Sequence, residues 1–359
     1  MIHGHGGNVY ALARQLGCEA AEIVDMSSNI NPLGMPPGLV DVLKVHAEDA
    51  GLLPEVDARA MTEGMADLLQ VPCECILAGN GTTQFIYTAC MALRSSRALI
   101  VEPTYADYVD ACRMHGIEMR RFGLSPDSGF QLECARFEQE LGQVDTVFIC
   151  NPNNPTGGLI PSEPLKRVCR THSHVRFIID ESYLPFAPCP ATESMAGSGL
   201  ENVIVLWSAS KIFGIPGLRA GFIIASETIR QCFDRYMQPW CVNSIAQAAV
   251  RYLADHRRET LAFIQTTRDF LERERRLFQQ RLTCCRGLIL YPSVTSYFLM
   301  RLPPPLTASG VCDQLARRRI LIRDCSNFHG LSNQFVRVAL KSGEINRMAA
   351  DHLADVFSD

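Results

Sequence analysis

Five short apolar runs between residues 75 and 226 constrain this chain more than any other feature. They read RALIVE (97–102), DTVFIC (145–150), VRFIID (175–180), NVIVLW (202–207) and GFIIAS (221–226). β-Branched and aromatic residues dominate them, and each has the length of a strand. The segments between them carry apolar residues at helical spacing, as in SEPLKRVCRTH (162–172). Strands alternating with helices predict an α/β fold with a mostly parallel sheet.

The last third has another character. Residues 244–282 read as one long helical pattern, apolar on one stripe and charged on the other. Strand-like runs follow at 296–302, 319–325 and 334–340, then a closing helix. This predicts a smaller α+β domain. We expect a large domain over 35–245, with the small domain built from 1–34 and 246–359.

Several function classes are set aside by charge and composition. A net charge of −4 offers no broad basic face for nucleic acid. No apolar run approaches the roughly 20 residues a membrane helix needs. The start, MIHGHGGNVYALARQLG, lacks the basic-then-apolar order of a signal peptide. Fifteen cysteines is an odd number, and none form the paired Cys-x-x-Cys clusters of a zinc site. We therefore expect no metal, thiols serving mostly as small buried hydrophobes, and a reducing cytoplasmic setting.

Four stretches carry chemistry. In AGNGTTQFIYTACMAL (78–93), Gly79 and Gly81 permit a tight loop and Thr82 or Thr83 can cap the helix that follows. Free N–H groups at a helix start attract anions, although an ordinary capped helix uses the same residues. NPNNPTGG (151–158) directly follows a strand, where ligands bind in such sheets, and offers the amides of Asn153 and Asn154. A plain turn uses Pro, Asn and Gly as well. IIDESY (178–183) ends an apolar strand in Asp180, a costly place for a carboxylate without a cation. A protonated pyridine nitrogen is such a cation, and Tyr183 can donate to a neighbouring oxygen.

The fourth stretch is SASKIFGIPGLRAG (208–221). Ser208, Ser210 and Arg219 supply donors and a fixed charge suited to phosphate, and Lys211 supplies an amine for a Schiff base with an aldehyde. Phosphate, aldehyde and ring nitrogen together describe pyridoxal 5′-phosphate.

On these motifs the chain resembles the fold-type-I pyridoxal-phosphate enzymes of the aspartate aminotransferase superfamily over nearly its whole length. The resemblance implies a mostly parallel seven-stranded sheet in the large domain, and a homodimer. It implies that Lys211 holds the cofactor, Asp180 pairs with its ring nitrogen, and Asn154 and Tyr183 address its ring hydroxyl. Gly81, Thr82, Thr83, Ser208, Ser210 and Arg219 would surround the phosphate, and Tyr105, in EPTYADY (102–108), would stack on the ring.

A narrower likeness lies in HGHGGNVYALARQLG, DMSSNINPLGMP (25–36), MQPWCVNSIA (237–246) and RILIRDCSNFHGL (319–331). These are similar to the threonine-phosphate decarboxylase family of the cobalamin pathway. That likeness implies decarboxylation of L-threonine O-3-phosphate to (R)-1-amino-2-propanol O-2-phosphate, with His5, Gly6, Asn29, Asn154, Arg323 and Arg337 meeting the substrate. Arg323 and Arg337 each interrupt an apolar strand, which also suits an ordinary salt bridge. Two departures stand out: Leu53 precedes Pro54 where the superfamily usually has a tyrosine, and Ser296 stands where relatives often carry asparagine. These leave O-phosphoserine open as a substrate. A histidinol-phosphate-type aminotransferase is the rival enzyme, and a cofactor-binding regulator the rival class, although no basic DNA-binding extension is present.

Overall fold

The computed structural model describes residues 6–357. His5 lies outside the described residues. A central sheet of seven strands spans β1 (Ile76–Asn80), β2 (Arg97–Glu102), β3 (Glu118–Gly123), β4 (Thr146–Cys150), β5 (Arg176–Asp180), β6 (Val203–Ser208) and β7 (Ala220–Ile224). Their spatial order is β1-β7-β6-β5-β4-β2-β3. All neighbours are parallel except at β7, which runs antiparallel to both β6 and β1.

Alternation along the strands feeds two cores. Val147, Ile149, Phe177, Ile179, Val203 and Val205 point into one. Phe148, Ile178, Ile204, Leu206 and Ile223 point into the other. Central strands covered by helices on both faces have no wet side, which is why these runs are almost continuously apolar. Asp180 keeps the parity of Ile178, and so faces the core that also holds Tyr108.

A second sheet of four antiparallel strands uses Ile289–Leu290, Tyr297–Arg301, Arg323–Asp324 and Phe335–Ala339. The run 319–325 is two strands rather than one. Ile320 and Leu321 pair in parallel with Val24 and Asp25 of the N-terminal arm, whereas Arg323 and Asp324 pair with Arg337 and Val336. The run divides because its halves serve different sheets.

The long helical pattern is also divided. Helices Ser244–Asp255 and Arg257–Arg281 meet at His256, whose φ of −107° and ψ of 45° leave the helical region. The Thr260 hydroxyl donates to the Leu253 carbonyl at 2.7 Å and satisfies an acceptor the break exposes. Helix Ser244–Asp255 packs on Leu39–Val45 and Arg59–Leu69, beside the large sheet. Helix Arg257–Arg281 buries Thr260, Ile264, Thr267, Leu271, Glu274 and Phe278, a spacing of three and four residues that makes one continuous stripe.

The cysteines differ from expectation. Cys90, Cys112, Cys150, Cys169, Cys285 and Cys325 are buried, the other nine are partly or fully exposed, and all fifteen are free thiols. No described helix is long and apolar enough to cross a membrane.

Candidate active site

Parallel strands deliver their carboxyl ends to one edge of the sheet, and that edge carries the chemistry. β5 ends in Asp180, β4 runs into Asn154, and β6 runs through Ser208 into the short helix Ala209–Ile212 that holds Lys211. The reversed direction of β7 has a purpose here. It brings Arg219, the residue before its first, to the same edge, with Ala220 opposite Asn80 and Gly221 opposite both Gly79 and Ser208.

The helix Gly81–Ala92 starts at this edge, and its cap residue Asn80 makes no side-chain capping bond. Thr82 and Thr83 therefore sit inside its first turn rather than capping it. Gly81 has φ of +75°, and a Cβ there would collide with the Arg219 guanidinium. A Cβ on Gly221 would collide with the backbone of Gly81 and Thr82. The two glycines let a guanidinium and a helix N-terminus converge, which is an anion cradle. Ser208 and Ser210 are buried beside it, and Ser210 Oγ donates to the Ala220 carbonyl at 3.5 Å. Thr83 and Arg219 line a recess on the outer side.

A cleft of about 870 Å³ opens next to this cradle, between the two sheets. Gly6, Asn29, Tyr105, Asn154, Tyr183, Lys211, Arg323 and Arg337 all line it. Asp180 lies just beneath. Tyr108 Oη donates to its Oδ2 at 2.8 Å and the Ser182 backbone N–H to its Oδ1 at 3.0 Å. Burial raises the Asp180 pKa, opposed by those hydrogen bonds and by the charge of Lys211. Burial lowers the Lys211 amine to about 8, helped by the charges of Arg219 and Arg337. Burial also raises the Tyr183 phenol to about 12, against the pull of Arg337 and a hydrogen bond from Asn29 Nδ2 at 3.4 Å.

Arg337 anchors the far wall. Its Nη1 donates to Asn154 Oδ1, its Nη2 donates to the Ser27 carbonyl at 2.6 Å, and its guanidinium lies over the Tyr297 ring. Arg323 is its cross-strand partner and so projects from the same sheet face. Gly6 lies against this pair: a Cβ there would stand 2.7 Å from the Ser27 carbonyl and 3.4 Å from Arg337 Nη2.

Two sequence readings need correction. Asn153 does not face the cleft: its side chain takes a hydrogen bond from Thr104 and donates to the Pro103 carbonyl, bracing the loop so that Asn154 alone lines the cleft. Ser296, the other departure, is fully buried and is not among the residues that line the cleft. The residue that sequence reasoning missed is Tyr108. Its signal was present in the YADY spacing, where Asp107–Met114 is a helix whose buried side carries Tyr108.

Two buried atoms among these groups, Asn29 Oδ1 and Arg337 Nε, have no hydrogen-bond partner among the described residues. Each such atom costs about 1–3 kcal/mol unless something binds it. The donor set fits pyridoxal phosphate: an anion cradle, a weakly basic lysine, and a carboxylate placed beneath them.

Comparison with known proteins agrees with this. The family model for aminotransferase class I and II matches residues 21–353. Threonine-phosphate decarboxylase of Salmonella typhimurium (strain LT2) is 34% identical, over 99% of this chain and 96% of that protein. The crystal structure of L-threonine-O-3-phosphate decarboxylase from Porphyromonas gingivalis superposes with a TM-score of 0.82 at 29% identity, covering 94% of this chain and all of that one. The histidinol-phosphate aminotransferase from Clostridium acetobutylicum superposes with a TM-score of 0.86 at 27% identity, covering 94% and 99%.

Proposed function

The chain belongs to the aminotransferase class I and II family, and from that premise we propose that it is a pyridoxal-phosphate-dependent decarboxylase of L-threonine O-3-phosphate. The product would be (R)-1-amino-2-propanol O-2-phosphate, a building block of cobalamin. The observation that carries the reading is the pair of cross-strand arginines, Arg323 and Arg337, opening onto the cleft that holds Lys211. Two guanidinium forks match a substrate bearing both a carboxylate and a phosphate.

The cofactor is pyridoxal 5′-phosphate, which when bound supplies an electron sink for the bond broken at the substrate's α-carbon. Lys211 would hold its aldehyde carbon and, once the substrate's amine has displaced it, would stand in the cleft to return the proton that the α-carbon gains when carbon dioxide leaves. Asp180 keeps the ring nitrogen protonated, with Tyr108 and the Ser182 N–H fixing the carboxylate's direction. Tyr183 and Asn154 address the ring hydroxyl, and Tyr105 covers the ring. Gly81, Thr82, Thr83, Ser208, Ser210 and Arg219 receive the cofactor phosphate. Arg337 and Asn154 take the substrate carboxylate with Asn29 beside them, while Arg323, Gly6 and His5 take its phosphate. By holding the carboxylate, Arg337 and Asn154 would decide that carbon dioxide is the group lost. Losing the α-hydrogen instead would give an aminotransferase.

Carbon dioxide release by purified holoenzyme decides the matter. Phosphothreonine should be decarboxylated and free threonine should not, because free threonine brings no dianion for the Arg323 guanidinium fork to bind. Histidinol phosphate with a keto-acid acceptor should give no sustained amino transfer. Equal reactivity of free threonine, or amino transfer without carbon dioxide, would overturn the reading. Phosphoserine belongs in the same assay, since the arginine pair serves it equally well.

A further inference from the structure

The rim of the cleft holds a polar cluster that the roles above leave unused. Glu102, the last residue of β2, is only 3% exposed although it carries a carboxylate. Arg121 Nη1 donates to both of its oxygens at 3.0 Å, and His329 Nδ1 lies 2.5 Å from Oε2. Glu102 and Arg121 belong to the large sheet. His329 belongs to the loop 326–331, which joins strand Arg323–Asp324 to strand Phe335–Ala339. All three residues line the cleft.

The same loop supports Arg323. Asn327 Oδ1 accepts from Arg323 Nη2 at 2.6 Å, and the Arg323 guanidinium stands 5.3 Å over the Phe328 ring. Backbone bonds from Phe328 N to the Cys325 carbonyl and from Leu331 N to the Phe328 carbonyl make the loop two successive tight turns. A displacement at His329 is therefore passed to its neighbours Phe328 and Asn327, both of which touch Arg323. In the other direction, Glu102 is fixed by Arg121 whether or not the histidine is present.

We propose that His329 is a positioning residue. By pairing with Glu102 across the cleft it draws the loop 326–331 onto the large sheet and holds Arg323 ready for the substrate's phosphate. A guanidinium ordered before the ligand arrives spares that ordering cost at binding, so the contribution falls on affinity rather than on the chemical step. This role rests on the assignment of Arg323 to phosphate made under the proposed function.

Steady-state carbon dioxide release from phosphothreonine by holoenzyme tests it, comparing wild type, His329→Ala, Arg323→Ala and the double variant. His329→Ala should raise KM roughly tenfold while kcat and the cofactor's absorbance stay near wild type. His329→Gln, which keeps a side-chain donor, should recover part of the loss. The double variant should be no worse than Arg323→Ala alone, because a residue acting through Arg323 has nothing further to lose. An unchanged KM in His329→Ala, or a double variant whose loss multiplies the two single losses, overturns the proposal. If Arg323→Ala itself leaves KM untouched, the phosphate assignment and this role fall together. Should wild type release no carbon dioxide, the proposed reaction is wrong. The positioning role is then decided by dissociation constants for phosphothreonine, read from the cofactor's absorbance, against the same pattern.

Discussion

Lys211 acts as a nucleophile only as the free base, and its surroundings favour that form. Desolvation and the nearby charges of Arg219 and Arg337 bring its amine from the ordinary lysine range down to about 8. The rate at which apoprotein captures pyridoxal phosphate should therefore rise with pH from 7 and level off a little above 8. An unperturbed lysine would keep gaining up to about 10.4. Stopped-flow absorbance reads this without any turnover, and Lys211→Ala should leave no borohydride-fixed adduct. Asp180 makes a second case. Asp180→Ala should lower turnover by at least a thousandfold, roughly 4 kcal/mol of barrier, while the fold survives. Tyr108→Phe keeps the ring stacked on Phe148 and removes the hydroxyl that donates to the carboxylate at 2.8 Å and also meets the Cys150 thiol. Its cost should be about ten- to a hundredfold in kcat, since a bond to a charged group is worth roughly 1.5–3 kcal/mol. Equal losses in the two variants would mean that the phenol, rather than the carboxylate charge, does the chemistry.

The ends of the strands carry polar groups, and one of them makes stability depend on pH. Glu181 directly follows β5 and is fully enclosed, accepting from Ser194 Oγ at 2.7 Å and from the Met195 N–H at 2.6 Å. Burial pushes its carboxyl up to about 7. A native state that keeps a proton the unfolded chain has already released loses stability as pH rises from about 4.5 to about 7. Glu181→Gln removes that cost and still spans both partners, so the variant should melt above wild type at pH 8. It should match wild type at pH 5. The full difference is roughly 3 kcal/mol, and thermal melts at the two pH values measure it. At this scale the sequence was informative because each apolar run announces a strand and the next few residues lie at its carboxyl end, where the site is built. Asp180, Asn154 and Lys211 could all be found that way. Pairings were not legible. The bond from Tyr108 to Asp180 spans 72 residues, from Arg337 to Asn154 183, and from Arg337 to Ser27 310. Only the register of strands distant in sequence brings these groups together. The break at His256 was invisible for the opposite reason, since neither proline nor glycine marks it.

For the molecule as a whole, the segment before helix Arg59–Leu69 holds apolar side chains open to solvent. Val45, Leu52 and Leu53 are 76%, 67% and 77% exposed, and Leu52 and Leu53 share a groove with Val42 and Met61. Covering a leucine is worth about 1.5–3 kcal/mol, so apolar side chains held this openly are a ready contact for a second copy. We propose a homodimer built through this segment, as the superfamily resemblance implies. By the superfamily resemblance, Leu53 stands where a tyrosine usually reaches across to the partner's cofactor phosphate. Two variants separate the assembly from the phosphate contact. Leu52→Asp with Leu53→Asp should shift sedimentation toward the monomer and weaken cofactor retention. Leu53→Tyr should keep the dimer and slow pyridoxal phosphate loss on dialysis, because it restores one donor to a cradle already provided by Arg219 and the helix at Gly81. If the aspartate variant stays dimeric, the contact lies elsewhere. If the tyrosine variant holds the cofactor no better than wild type, Leu53 does not reach the partner's phosphate site.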